Sequence, residues 1–160
     1  MADDTRTETI RRIVDLHRAS PGAMLPILHA IQEQLGWVPA DAVPVIAAAL
    51  SRSRAEVHGV ISFYPHFRTR PPGRHVVQIC RAESCRAVGA EALEAHARSS
   101  LGIDFDHTTG DGAVTLEAVY CLGNCACSPA IRVDDEIVGR VDGARFDALI
   151  AELRDAEAEA

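Results

Sequence analysis

His75-Val-Val-Gln-Ile-Cys80-Arg-Ala-Glu-Ser-Cys85 and Val119-Tyr-Cys121-Leu-Gly-Asn-Cys125-Ala-Cys127-Ser-Pro129 are the two stretches on which the reading of this chain turns. In the first, a β-rich run from His75 to Ile79 delivers Cys80 at its end, and Cys85 opens a segment, running to Ser99, whose Val88, Leu93 and Ala97 have helical spacing. In the second, Ala113 to Tyr120 has strand character and delivers Cys121. Strands ending this way put their last residues outside the carboxyl edge of a sheet, where open α/β sheets bind ligands. Three of the five cysteines are therefore expected at one edge.

Downstream, Ile131–Val133 and Ile137–Val141 flank Asp134-Asp135-Glu136 as a hairpin. Ala144–Leu153 closes the pattern as an amphipathic helix through Phe146, Leu149, Ile150 and Leu153. The order β-α-β-β-β-α, with a polar, turn-rich stretch between Gly102 and Gly112, predicts an α/β domain of thioredoxin-like layout rather than a long doubly wound sheet. Upstream, Arg70-Pro71-Pro72-Gly73 suits an extended linker. It divides the chain into an N-terminal helical domain, 1–70, and a cysteine-bearing domain, 71–160. Charge changes at the same place, from +2 over residues 1–74 to −9 over residues 75–160. Four short helices are expected before the linker: Thr7–Arg18, Ala23–Leu35 with Gly36 as its stop, Val43–Leu50, and Arg54–Ser62 behind a Ser53/Glu56 capping box. Its histidines, His17, His29, His58 and His66, form no metal-like spacing, so this part reads as a packing or docking module.

Composition narrows the chemistry further. The 160 residues are 48% apolar, enough for ordinary cores without disulfides or metals. All sixteen basic residues are arginine, which removes Walker A and Schiff-base chemistry, both of which need lysine. No G-x-G-x-x-G occurs, so no dinucleotide fingerprint is present. A net charge of −7 argues against nucleic acid as a partner. With no run of 18 apolar residues, direct membrane insertion is not expected, and the acidic start, Met1 to Glu8, is unlike a secretory signal. A cytoplasmic protein is expected.

Four uses of the cysteines compete. Disulfides fit poorly with an odd count in a reducing compartment. Thiol–disulfide chemistry lacks a C-x-x-C pair. Structural zinc held by four thiolates remains open, as in a zinc-stiffened scaffold subunit. A [2Fe-2S] cluster, which suits wider and unequal spacings, also remains open and is favoured.

The cysteine stretches, together with Leu28-His-Ala-Ile-Gln-Glu-Gln-Leu-Gly-Trp-Val-Pro39 and Val57-His-Gly-Val-Ile-Ser-Phe-Tyr64, resemble the thioredoxin-like [2Fe-2S] ferredoxin subunits that pair with FMN/NADH flavoproteins. That family includes the small [2Fe-2S] subunit of respiratory complex I, diaphorase subunits of NAD-linked hydrogenases and the gamma subunit of NAD-dependent formate dehydrogenase. The resemblance spans Ile10 to Leu153. Cys80-Arg-Ala-Glu-Ser-Cys85 and the preceding Pro72-Gly-Arg-His75 look closest to the formate dehydrogenase gamma subunit.

The resemblance implies a [2Fe-2S] cluster on Cys80, Cys85, Cys121 and Cys125, and one-electron transfer with no substrate site on this chain. FMN and NAD would belong to a partner flavoprotein subunit, and a molybdenum-containing catalytic subunit would oxidise formate. Cys127 reads as a spectator thiol in preference to an alternative ligand. Gly123 is expected to let the loop bend, and backbone N–H groups from Leu122 to Ala126 could bond cluster sulfurs. Arg81 and Arg86 flank the first pair, offsetting its charge or simply solvated. His75 and His107 do not make the two-His arrangement of a Rieske centre. Pro129 sits where the thioredoxin layout often has a cis bond. That raises cis above its base rate of roughly 5–6%, with trans still expected.

Overall fold

Helix stops and an extended Pro-Pro segment punctuate the chain, and the computed structural model, which describes residues 2–158, follows them. Two compact units result, divided between Pro71 and Pro72.

In the first unit, α1 (Ala2–His17), α2 (Met24–Leu35), α3 (Ala42–Ala49) and α4 (Arg54–Phe63) each turn an apolar stripe inward. Ile10, Ile13 and Val14 of α1 join Ile27, Leu28 and Ile31 of α2, Ile46 of α3, and Val57 and Ile61 of α4 in one core. Three- and four-residue spacing is what brings such side chains onto one helix face. Gly36, at φ 82°, ends α2 in the left-handed region and donates its N–H to the Gln32 carbonyl. The capping box forms as expected: Glu56 N–H donates to Ser53 Oγ at 3.1 Å, and Ser53 N–H to Glu56 Oε2 at 2.8 Å. The Ser53 N–H and hydroxyl, both on the Glu56 carboxylate, with Arg52 nearby, hold that carboxyl below its ordinary value. Gln32 is buried and serves both ends of one loop, donating from Nε2 to the His66 carbonyl and accepting the Arg68 N–H, each at 2.7 Å.

The second unit is a five-stranded mixed sheet carrying helices. Its strands are β1 (His75–Cys80), β2 (His107–Thr108), β3 (Val114–Val119), β4 (Ala130–Val133) and β5 (Glu136–Gly139), in spatial order β2-β3-β1-β4-β5. β1 is parallel to β3, with Cys80 opposite Val119, and antiparallel to β4. The connection from β1 to β3 runs through α5 (Glu83–Ala87) and α6 (Ala90–Leu101); α7 (Gly143–Ala158) follows β5. Val77, Ile79, Leu116 and Ile131 of the sheet pack with Leu93 and Ala97 of α6 and Phe146 and Ile150 of α7.

Local details differ from expectation for physical reasons. The single helix expected over 85–99 is broken into α5 and α6 because Gly89, at φ 105°, cannot continue a right-handed helix. The turn-rich stretch 102–112 holds a two-residue edge strand, β2, recruited by antiparallel pairing with β3 and too short for alternation to reveal. The last hairpin strand stops at Gly139 instead of Val141, since Arg140 turns to φ 55°. The Ser128–Pro129 bond is cis, correcting the expectation of trans; the tertiary amide of an X-Pro bond makes that form accessible.

Candidate functional site

Two loops at the carboxyl edge of the sheet carry the cysteines. β1 ends on Cys80, and Cys85 lies in the first turn of α5; both are 2% exposed, packed with Ala90 and Ala130 and lined by Ala82, Val119 and Leu122. From β3 the chain passes into Cys121 and then a single 3-10 turn, Cys125–Cys127. Because β1 and β3 are parallel neighbours in register, Cys121 emerges two residues beyond the position opposite Cys80. Parallel pairing is what puts both strand ends on one edge.

The four thiols form two pairs. Cys121 Sγ and Cys125 Sγ are 3.8 Å apart and exposed. Cys80 and Cys85 pack in one buried cluster, and the charges of both reach Cys125. Two thiolates on one tetrahedral metal, with bonds of about 2.3 Å, lie about 3.8 Å apart, so the exposed pair has the span of ligands to a common metal. Among the described residues, no group of three or more His, Cys, Asp or Glu side chains is placed around a single ion position.

Backbone geometry supplies donors to these sulfurs. Cys121 itself is at φ 77° and Gly123 at φ 78°. Left-handed backbone is unfavourable for a residue with a Cβ and free for glycine, so the bend concentrates its strain at the cysteine. Gly123 N–H points at Cys121 Sγ, 3.4 Å away. Burial pushes the Cys80 thiol up, yet N–H groups of Ala82, Leu122 and Cys121, together with the Cys85 thiol, bring it below its ordinary value. At Cys125 the thiol of Cys121 acts in the opposite sense: its hydrogen bond and its charge raise Cys125.

The remaining candidates are placed as follows. Cys127 is half-buried; its N–H bonds to the Asn124 carbonyl at 3.0 Å, and its carbonyl accepts the Arg140 N–H at 2.6 Å. Arg81 is spoken for: Glu94 pairs with it at 3.1 Å, its guanidinium lies 5.1 Å from the Phe105 ring centroid, and Glu94 foremost, with Tyr120, raises its pKa. Arg86 is paired with Glu91. Both arginine charges are thus already matched by carboxylates. His75 opens β1, at the end away from Cys80, and bonds to Asp134 at 2.8 Å; His107 Nδ1 lies 2.9 Å from the Phe105 carbonyl.

Sequence reasoning passed over Ser84 and Ser128. Ser84 Oγ lies 3.2 Å and Ser128 Oγ 2.9 Å from the Cys125 carbonyl oxygen, and the two hydroxyls are 3.0 Å apart. They bridge the loop after β1 to the loop after β3. Their only signal in the sequence is that Ser84 adjoins Cys85 and Ser128 adjoins Cys127.

Known proteins resemble this chain over most of its length. The family described as thioredoxin-like [2Fe-2S] ferredoxin matches residues 10–154. The chain is 40% identical over 135 residues to an NADH-quinone oxidoreductase subunit of Rhizobium meliloti, covering 84% of this chain and 80% of the relative. It is 28% identical over 145 residues to NADP-reducing hydrogenase subunit HndA of Solidesulfovibrio fructosivorans, covering 89% and 85%. Among solved structures, NAD+-reducing [NiFe]-hydrogenase in the H2-reduced state superposes with a TM-score of 0.67 at 26% identity, over 80% of this chain and 22% of that one. This chain therefore corresponds to about a fifth of that hydrogenase chain.

Proposed function

The chain belongs to the thioredoxin-like [2Fe-2S] ferredoxin family, and from that premise we propose that it is the one-electron transfer subunit of an NAD-linked oxidoreductase complex, docked on a flavoprotein that carries FMN and NAD. The observation that carries this reading is the meeting of Cys80, Cys85, Cys121 and Cys125 as two thiol pairs at one sheet edge. Cys80 and Cys85 would hold one iron, Cys121 and Cys125 the other. When bound, a [2Fe-2S] cluster supplies a reversible one-electron centre, which a flavin that takes up a hydride can feed one electron at a time.

The chain's own residues shape that centre. Burial of Cys80 and Cys85 keeps water from one side, while exposed Cys121 and Cys125 leave the other side open to a partner. The Gly123 N–H is preset toward the Cys121 sulfur. The helical unit is read as the docking module; Leu16, Phe63 and Tyr64 are large apolar side chains it leaves exposed. No helix among the described residues is long and apolar enough to cross a membrane.

The finer assignment is the gamma position of an NAD-dependent formate dehydrogenase, with a molybdenum-containing subunit oxidising formate. The cysteine stretch Cys80-Arg-Ala-Glu-Ser-Cys85 supports it. A second reading, the small [2Fe-2S] subunit of complex I or of an NAD-linked hydrogenase, is favoured by the names of the relatives. Iron and acid-labile sulfide in equal amounts, with a brown colour bleached by dithionite, are expected of the purified chain; a colourless zinc protein would refute the reading. The flavin-free chain should not oxidise NADH until its flavoprotein is added. In the purified assembly, formate should reduce the cluster; reduction by H2 or NADH but not by formate would move the assignment to the second reading.

A further inference from the structure

Ser84 and Ser128 lie between the two thiol pairs, and their hydrogens can be counted. Ser128 Oγ is 3.4 Å from Cys85 Sγ, 2.9 Å from the Cys125 carbonyl oxygen and 3.0 Å from Ser84 Oγ. Ser84 Oγ is in turn 3.2 Å from that same carbonyl. Each hydroxyl has one hydrogen to give. While Cys85 is a thiol, its S–H can donate to Ser128, leaving Ser128 to donate to the Cys125 carbonyl. A metal ligand must lose that proton, after which the sulfur only accepts. The contact then survives only if Ser128 turns its hydrogen to sulfur, and Ser84 takes over the carbonyl or bonds to Ser128.

We propose that Ser128 donates a hydrogen bond to the metal-bound sulfur of Cys85, with Ser84 holding it in that orientation, and that this raises the reduction potential of the centre. The proposal rests on the cluster reading above. Cys121 receives a backbone N–H group, which substitution of a side chain does not remove; at Cys85 a side-chain hydroxyl makes the contact. Cys85 is also 2% exposed, so bulk water is poorly placed to replace a lost hydroxyl. A donor at a ligand sulfur stabilises the added negative charge of the reduced state more than the oxidised state, so hydrogen bonding to sulfur is a lever on potential. Both serines are positioning residues. The same bridge joins the two ligand loops, so the deciding readout must be the potential rather than stability.

The experiment is an EPR-monitored redox titration of the full chain, with iron and sulfide assayed on the same samples. Ser128→Ala should keep its iron and shift the midpoint downward. At the wild-type midpoint, its ratio of reduced to oxidised protein should fall roughly threefold to tenfold, tenfold being about 59 mV for one electron. Ser128→Thr keeps the hydroxyl and should titrate like wild type, and Ser84→Ala should shift in the same direction by less. A loaded Ser128→Ala protein with the wild-type midpoint overturns the proposal, as does a Ser128→Thr protein shifted as far as Ser128→Ala. If Ser128→Ala does not hold iron, Ser84→Ala decides: a lowered midpoint sustains the proposal and an unchanged one overturns it. Absence of iron and sulfide from the wild-type chain would instead overturn the cluster reading and this proposal with it.

Discussion

Replacing Gly139 with alanine should loosen the loop that carries Cys125. An added Cβ would sit 2.6 Å from both the Cβ and the carbonyl oxygen of Cys127, and 2.8 Å from Asn124 Nδ2. Asn124 can rotate away, but the Cys127 backbone cannot, because its carbonyl accepts the Arg140 N–H at 2.6 Å and its N–H is tied to Asn124. Relief therefore requires β5 or the 3-10 turn to move. Overpacking of this kind costs about 1–3 kcal/mol, against about 0.4–1 kcal/mol gained because alanine restricts the unfolded chain. A net loss of about 1–2 kcal/mol is expected. Displacing the turn should also open the 3.8 Å gap between Cys121 and Cys125, lowering iron bound per chain. Denaturant unfolding of the metal-free chain reads the first effect, and iron content after reconstitution reads the second. Gly123→Ala is the contrast: nothing lies within 4 Å of its added Cβ, and its cost comes from φ 78° alone, about 1 kcal/mol. A Gly139→Ala chain with wild-type midpoint denaturant and wild-type iron would refute the steric argument.

Other outcomes follow from contacts already described. Serine at Cys80, Cys85, Cys121 or Cys125, one at a time, should deplete iron or perturb the visible and EPR spectra, whereas Cys127→Ser should keep both; iron lost from Cys127→Ser but kept by Cys125→Ser would reassign the ligands. Gln32→Leu removes the partners of the His66 carbonyl and the Arg68 N–H, so about 2 kcal/mol should be lost in denaturant unfolding, with iron content unaffected. Ser53→Ala should cost about 1 kcal/mol through the lost cap on α4. Glu56 is held below its ordinary value near 4.5, so the unfolded chain takes up the proton first. Its contribution is present above that pH and lost as pH falls through the folded value; acid titration of Ser53→Ala should show a shallower loss than wild type.

Local signals were legible where one element encodes them. The capping box at Ser53 and Glu56, the stop at Gly36 and the apolar stripes of α1, α2 and α4 act within about four residues, so spacing reveals them. The break at Gly89 was less legible, because apolar spacing continues across it from Val88 to Leu93 while the backbone turns left-handed between them. β2 carries no pattern of its own, since two residues are a strand only by virtue of the partner beside them.

The sequence by itself determined that one strand ends on a cysteine and a second leads into one, that a family resemblance runs from Ile10 to Leu153, and that an extended Pro-Pro segment lies between helical and mixed parts. Tertiary structure decided which thiols stand as pairs, how Ser84 and Ser128 span 41 to 44 residues to reach Cys125 and Cys85, and why Gly139 has no room for a methyl group. The order β2-β3-β1-β4-β5 is the reason. It sets β1 between β3 and β4, so the loop leaving β1 and the loop joining β3 to β4 meet at one edge. Local spacing reports an element's own periodicity, whereas contacts across tens of residues depend on sheet order and on burial shared among several strands.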